Sequence, residues 1–83
     1  EPTPREKIAT AKLQLQRLGD LHGEHQAVRE FRMQAAYYLK GIPRSAKTKA
    51  AVNMVDTQAE VDHIFDDFVE QTEERARERQ AKA

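Results

Sequence analysis

The chain has 83 residues, 39% apolar and 34% charged, with 14 Lys and Arg set against 14 Asp and Glu for a formal net charge of zero. A domain of this size buries only ~60–65% of the surface its unfolded chain exposes, which leaves little room for a deep catalytic cleft. The lack of cysteine excludes a disulfide framework, a thiol nucleophile and a thiolate metal site and fits an intracellular protein, and no apolar run approaches the ~20 residues of a membrane span.

The opening Glu1-Pro2-Thr3-Pro4 reads as an interdomain linker remnant over residues 1–3. Thr3-Pro4-Arg5-Glu6 has the form of a capping box with Pro at the first helical position, which predicts a first helix from Pro4. Ile8, Ala11, Leu15 and Leu18 give that helix one apolar face, and Gly19-Asp20 with Gly23 mark where it weakens and stops. Leu13 and Leu21 fall off the stripe, as ordinary exposed residues or as contacts to a neighbouring domain.

A second helix is expected from about Glu24 to Lys40, burying Val28, Phe31, Ala35, Leu39 and then Ile42, with Gly41 as a left-handed C-cap and Pro43 forbidding continuation. Ser45 is a candidate N-cap for a short third helix through about Met54, with Ala46, Ala50, Ala51 and Met54 as its apolar positions. Thr57-Gln58-Ala59-Glu60 is a second capping box, and Val61, Ile64, Phe65, Phe68 and Val69 follow at helical spacing. No segment alternates with period two, so the expected fold is all-α, a compact four-helix bundle with a short third helix over residues 4–74. The segment 75–83, RARERQAKA, has no apolar residue larger than alanine and reads as a charged, frayed tail.

Charge is sorted along the chain. Residues 28–49 carry Arg29, Arg32, Lys40, Arg44, Lys47 and Lys49 against Glu30 alone, whereas residues 51–74 carry Asp56, Glu60, Asp62, Asp66, Asp67, Glu70, Glu73 and Glu74 and no Lys or Arg. At 100° per residue Arg29, Arg32 and Lys40 fall within about 80° of one another, forming a ridge that Arg44, Lys47 and Lys49 extend past the corner and that suits a phosphate chain. The alternative is a solvated basic face with scattered ion pairs to the acidic fourth helix. Tyr38 is expected near the core and Tyr37 outside it, where an exposed tyrosine beside arginines either stacks on an unpaired base or is plain surface.

Other candidate chemistry is weak. His22 and His25 with Asp20 and Glu24 lack the spacing of a zinc hydrolase, and His63 reads as a half-buried packing residue. The carboxylates of the fourth helix read as a solvated face. With no nucleophile beside a base, no phosphate loop and no dinucleotide fingerprint, this fragment alone is not expected to catalyse a reaction.

The strings Val28-Arg29-Glu30-Phe31-Arg32, Tyr38-Leu39-Lys40-Gly41-Ile42-Pro43 and Ser45-Ala46-Lys47 resemble the C-terminal helical domain of bacterial tRNA-dihydrouridine synthases, nearest the B-type group. The likeness covers the middle third of the chain and extends to the flanking helices in length and spacing only. It implies a cytoplasmic parent oxidoreductase whose N-terminal barrel reduces uridine in tRNA with FMN and NADPH, both bound outside this chain. It also implies a monomeric domain whose partners are tRNA and that barrel. The tRNA-binding positions it carries over are Arg29, Arg32 and Lys40, then Lys47 and Lys49; Arg44 and Tyr37 join them from the reading of the residues. Two departures stand out: Met33-Gln34 occupies the place of a common Lys-His pair, and Arg44 the place of a common glycine. The rival expectation is a helical protein-interaction module in which the Leu13 and Leu21 side or the acidic helix docks a protein and the basic ridge is incidental.

Overall fold

Two capping boxes and two glycines set the helix ends in the computed structural model, which describes residues 1–82. Helix α1 runs Pro4–His22, α2 Glu24–Leu39, α3 Ala46–Val52 and α4 Gln58–Lys82, and no strand occurs among the described residues. At the start of α1 the Glu6 amide donates to Thr3 Oγ1 at 3.1 Å and the Thr3 amide to Glu6 Oε1 at 2.9 Å. The same reciprocal pair opens α4, with Glu60 N to Thr57 Oγ1 at 3.2 Å and Thr57 N to Glu60 Oε1 at 3.2 Å. Each box satisfies amides that the first helical turn leaves without partners.

Gly23 alone joins α1 to α2. Its backbone (φ 83°, ψ 156°) lies in a region open in practice only to glycine, and its amide closes α1 onto the Gly19 carbonyl at 2.9 Å. Helix α1 therefore runs through Gly19 and Asp20 before it stops. At the far end of α2, Lys40 (φ −57°, ψ 132°) and Gly41 (φ 84°) are the central residues of a type II turn closed by Ile42 N to Leu39 O at 3.1 Å. The expected positive φ at Gly41 is present, in a β-turn rather than as a helical cap.

Helices α1 and α2 are antiparallel, because Glu6, Lys7 and Thr10 lie beside Tyr37, Tyr38 and Lys40. Helices α1 and α4 are antiparallel too, with Arg5 paired to Glu73 and Lys12 to Asp66. The core gathers Ile8, Ala11 and Leu15 of α1, Ala27, Val28, Phe31, Ala35 and Leu39 of α2, Ile42, Val52 of α3, and Val61, Phe65, Phe68 and Val69 of α4. Leu18, Tyr38, Val55 and Ile64 pack half-buried around it.

Helix α3 differs from expectation. It ends at Val52, which is its buried anchor, while Ala46, Ala50 and Met54 are exposed. Ser45 adopts a helical backbone and makes no side-chain capping bond. A seven-residue helix with small side chains places only the position nearest the core, and the branched Val52 takes it over the alanines.

The charged segment 75–82 continues α4 as helix, and Ala83 lies outside the described residues. Glu73 with Arg77 and Glu78 with Lys82 stand at i, i+4 with the acid first, a helix-favouring spacing although neither closes as an ion pair among the described residues, and Arg79 and Lys82 stand in the last turn where the helix dipole favours cations. None of the side chains from Glu70 to Lys82 is fully buried, so this end of α4 projects from the bundle.

Titration follows from these contacts. The Thr3 amide holds the Glu6 carboxyl below its ordinary range, the Thr57 hydroxyl does so for Glu60, and the Arg5 guanidinium for Glu73. The stability they contribute is present above the ordinary glutamate range and lost as pH falls through their lowered values. Asp62 runs the other way: burial pushes its carboxyl up, and its Oδ1 is buried without a hydrogen-bond partner. Ionised Asp62 therefore destabilises the fold at neutral pH. Asp62→Asn is expected to raise Tm at pH 7 by about 2–4 °C, a gain that shrinks as pH falls through the raised value and is gone below the ordinary aspartate range; melts at pH 7 and about pH 3 check both halves.

Candidate nucleic-acid interface

The ridge expected from Arg29, Arg32 and Lys40 does not form as a unit. Arg32 turns inward: its Nη2 donates to the Val55 carbonyl at 2.9 Å and pairs with Asp56 Oδ1 at 3.2 Å, leaving the side chain 28% exposed. It straps the α3–α4 loop to α2. Arg29 is exposed and borders a shallow depression with His25, Glu30 and Met33, whereas Lys40 sits at the opposite end of α2 beside the two tyrosines. Eleven positions of helix separate them by roughly 16 Å, which a helical wheel cannot show.

Cations converge elsewhere. Arg44 and Lys47 line a groove with Phe68, Gln71 and Arg75 of α4. A contiguous cleft of about 260 Å³ brings Arg44 against Thr72, Arg75, Arg79 and Lys82, with Glu78 as its one acid. The face of α4 that is apolar at Val61, Phe65 and Phe68 continues through Thr72 into Arg75, Arg79 and Lys82, the same spacing carried past the end of the core. These three lie in the segment 75–83 expected as a frayed tail, and so were absent from the expected binding positions. The recurrence 68, 72, 75, 79, 82 was the available signal.

Glu74 and Glu78 share this surface with Arg44 and Arg75 and offset part of its charge without forming ion pairs among the described residues, while other acids of α4 are engaged elsewhere. Glu73 takes Arg5 in a bidentate pair (2.8 Å for each bond), Asp66 takes Lys12, and Asp67 lies 3.5 Å from His63. Among the described residues, no ion pair uses Arg29, Lys40, Arg44, Lys47, Lys49, Arg75, Arg79 or Lys82. Cations of α1 answer the acidic helix instead, so the carboxylate face expected to be solvated is partly engaged. His63 is exposed rather than half-buried. Glu24, at the start of α2, accepts from the Gln58 amide at 2.8 Å and so caps α4 across the fold, beyond what the local capping box provides. Among the described residues no cluster of His, Asp or Glu is arranged to hold a metal ion.

Arg44 is the one described non-glycine residue with a left-handed backbone, at φ 63°. For an L-residue with a full side chain this costs roughly 1–2 kcal/mol, and the strain lies in a wall of the cationic cleft. Arg44→Gly relieves it at the cost of greater unfolded-state entropy. The expected net gain is about 0.5–1 kcal/mol, a rise in Tm of about 2–8 °C, accompanied by weaker polyanion binding. Thermal melts and an RNA titration of the same variant measure the two effects together.

Tyr37, Tyr38, Lys7 and Lys40 form a second surface, a cleft of about 480 Å³ between the start of α1 and the end of α2. Lys49 is exposed on α3, and Leu21, Met33 and Met54 are exposed apolar side chains. No helix among the described residues is long and apolar enough to cross a membrane. No protein-family model matches the chain, and no solved structure matches it.

Proposed function

We propose that this chain is an RNA-docking module, the tRNA-binding C-terminal domain of a tRNA-dihydrouridine synthase whose flavin barrel, with FMN and NADPH, lies elsewhere in the parent protein. The observation that carries the docking reading is the gathering of Arg44, Lys47, Arg75, Arg79 and Lys82 on one grooved surface, without ion-pair partners among the described residues. The motif resemblance supplies the tRNA and the parent enzyme. Phosphates supply most of the affinity in this reading, so binding is electrostatic and falls steeply with salt. The centre of the surface moves from the α2 ridge to the corner after α2, with Arg32 serving the fold.

The test is a salt series on unmodified tRNA. Four to six neutralised phosphates give a slope of log K against log salt of about −3 to −5. A flat salt dependence, or an affinity indifferent to reversal of the corner cations, leaves the protein-interaction reading in its place.

A further inference from the structure

Four aromatic rings form a continuous chain from the centre of the core to the surface. Phe65 meets Phe31 edge-on with ring centroids 5.9 Å apart, Phe31 stacks on Tyr38 at 6.2 Å, and Tyr38 meets Tyr37 edge-on at 5.5 Å. Phe65 and Phe31 are fully buried, Tyr38 is half-buried, and Tyr37 is 76% exposed. An exposed ring is ordinarily free to change rotamer. Tyr37 is instead braced along one side by a neighbour that is itself fixed to the core, so it loses little freedom when a second ring lies on it.

The cleft in front of Tyr37, about 480 Å³, falls in the range of small-ligand sites and is more apolar than polar in its lining. Lys7 and Lys40 flank it. The Lys7 ammonium reaches to 4.0 Å from where a Cβ would stand on Gly41, which sets it against the Lys40–Gly41 turn. Neither lysine is ion-paired among the described residues. The one acid lining the cleft, Glu6, has its carboxylate turned to the Thr3 amide in the α1 cap. An aromatic shelf bounded by two ammonium groups matches a planar base with a phosphate attached.

We propose that this cleft takes one unpaired nucleotide of an RNA strand, its base stacked on Tyr37 and its phosphate held between Lys7 and Lys40. The inference rests on the RNA-docking reading above and adds to it a preference for RNA with an extruded base. Lys40 and Arg44 are four residues apart, at most about 14 Å of chain, so a strand whose phosphates lie along the Arg44–Arg75–Arg79 groove can present a neighbouring base to the tyrosine. Base–aromatic stacking is sequence-tolerant, which predicts selection for an unpaired position rather than for a particular base.

Tyr37 and Tyr38 are the only tyrosines and there is no tryptophan, so intrinsic fluorescence reports on this cleft. The 83-residue chain is titrated with three short RNA duplexes: fully paired, with a single bulged adenosine, and with an abasic residue at the bulge. The expected result is quenching of tyrosine emission by the bulged duplex and binding roughly tenfold tighter than to the other two. Tyr37→Leu is expected to abolish that preference and leave binding to the paired duplex and its salt slope unchanged. Lys7→Ala is expected to reduce the preference in part. Tyr37 is exposed, so the leucine variant should keep the wild-type melt. Equal affinity for bulged and abasic duplexes overturns the nucleotide site and leaves the docking reading standing, whereas no binding to any duplex removes both. Saturable quenching by free adenosine monophosphate, with no gain for the bulge, also overturns it, in favour of a free-nucleotide site.

Discussion

Phe31→Ala is expected to abolish the cooperative thermal transition of the domain or lower its Tm by more than about 15 °C. Phe31 is fully buried and touches the rings of both Phe65 and Tyr38. Truncating a buried phenylalanine costs about 3–5 kcal/mol. A chain of 83 residues at about 0.05–0.15 kcal/mol per residue has only about 4–12 kcal/mol to lose. Each kilocalorie shifts Tm by about 4–8 °C at this size. Phe31→Leu retains most of the apolar volume and serves as the milder control. Circular dichroism melts of the two variants beside the wild type make the comparison, and a fall under about 5 °C for the alanine variant would contradict the central place given to this ring.

Reversing the corner cations should produce the largest change in binding. The triple variant Arg44→Glu, Arg75→Glu and Arg79→Glu removes three phosphate partners and replaces them with repulsive charges. RNA affinity at low salt is expected to fall on the order of a hundredfold or more, and the salt slope to lose about three of its units. None of the three side chains is fully buried or ion-paired among the described residues, so the melt should stay within a few degrees of wild type. Reversal of Arg17, Arg29 and Lys49, three exposed cations off the groove, is the charge-matched control with the smaller expected loss. Equal losses in the two sets would mean that net charge, rather than this cleft, carries the binding.

The elements legible in the sequence were those fixed by contacts within a few residues. The pairs Thr3 with Glu6 and Thr57 with Glu60 announced two helix starts, and the repeat from Val61 to Val69 announced the buried face of α4. Gly41 and Pro43 marked the corner because positive φ and a missing amide proton are properties of single residues. What stayed hidden depends on who meets whom across the fold. Arg32 has the same chemistry as Arg29, and only the position of the Val55–Asp56 loop makes one a structural strap and leaves the other open to solvent. Glu24 caps a helix that begins 34 residues later. The tail arginines read as a frayed, solvated helix end because no apolar residue larger than alanine accompanies them, yet helical periodicity delivers Arg75 and Arg79 to Arg44. The left-handed backbone of Arg44 was equally invisible, since that conformation is ordinarily signalled by glycine, and here arginine stands in its place.

One consequence concerns the mechanical character of the two walls of the cationic cleft. The Arg44 wall hangs from a turn locked between Leu39 and Ile42, both buried, and behaves as a fixed jaw. The opposite wall belongs to the projecting end of α4, and past the Arg5–Glu73 pair its unwinding is opposed by little beyond the helix's own hydrogen bonds. Such a jaw can bend, fray or re-form around whatever it grips. If this cleft docks RNA as proposed, ordering that wall on contact reduces the net affinity and in return lets one surface fit strands of differing curvature.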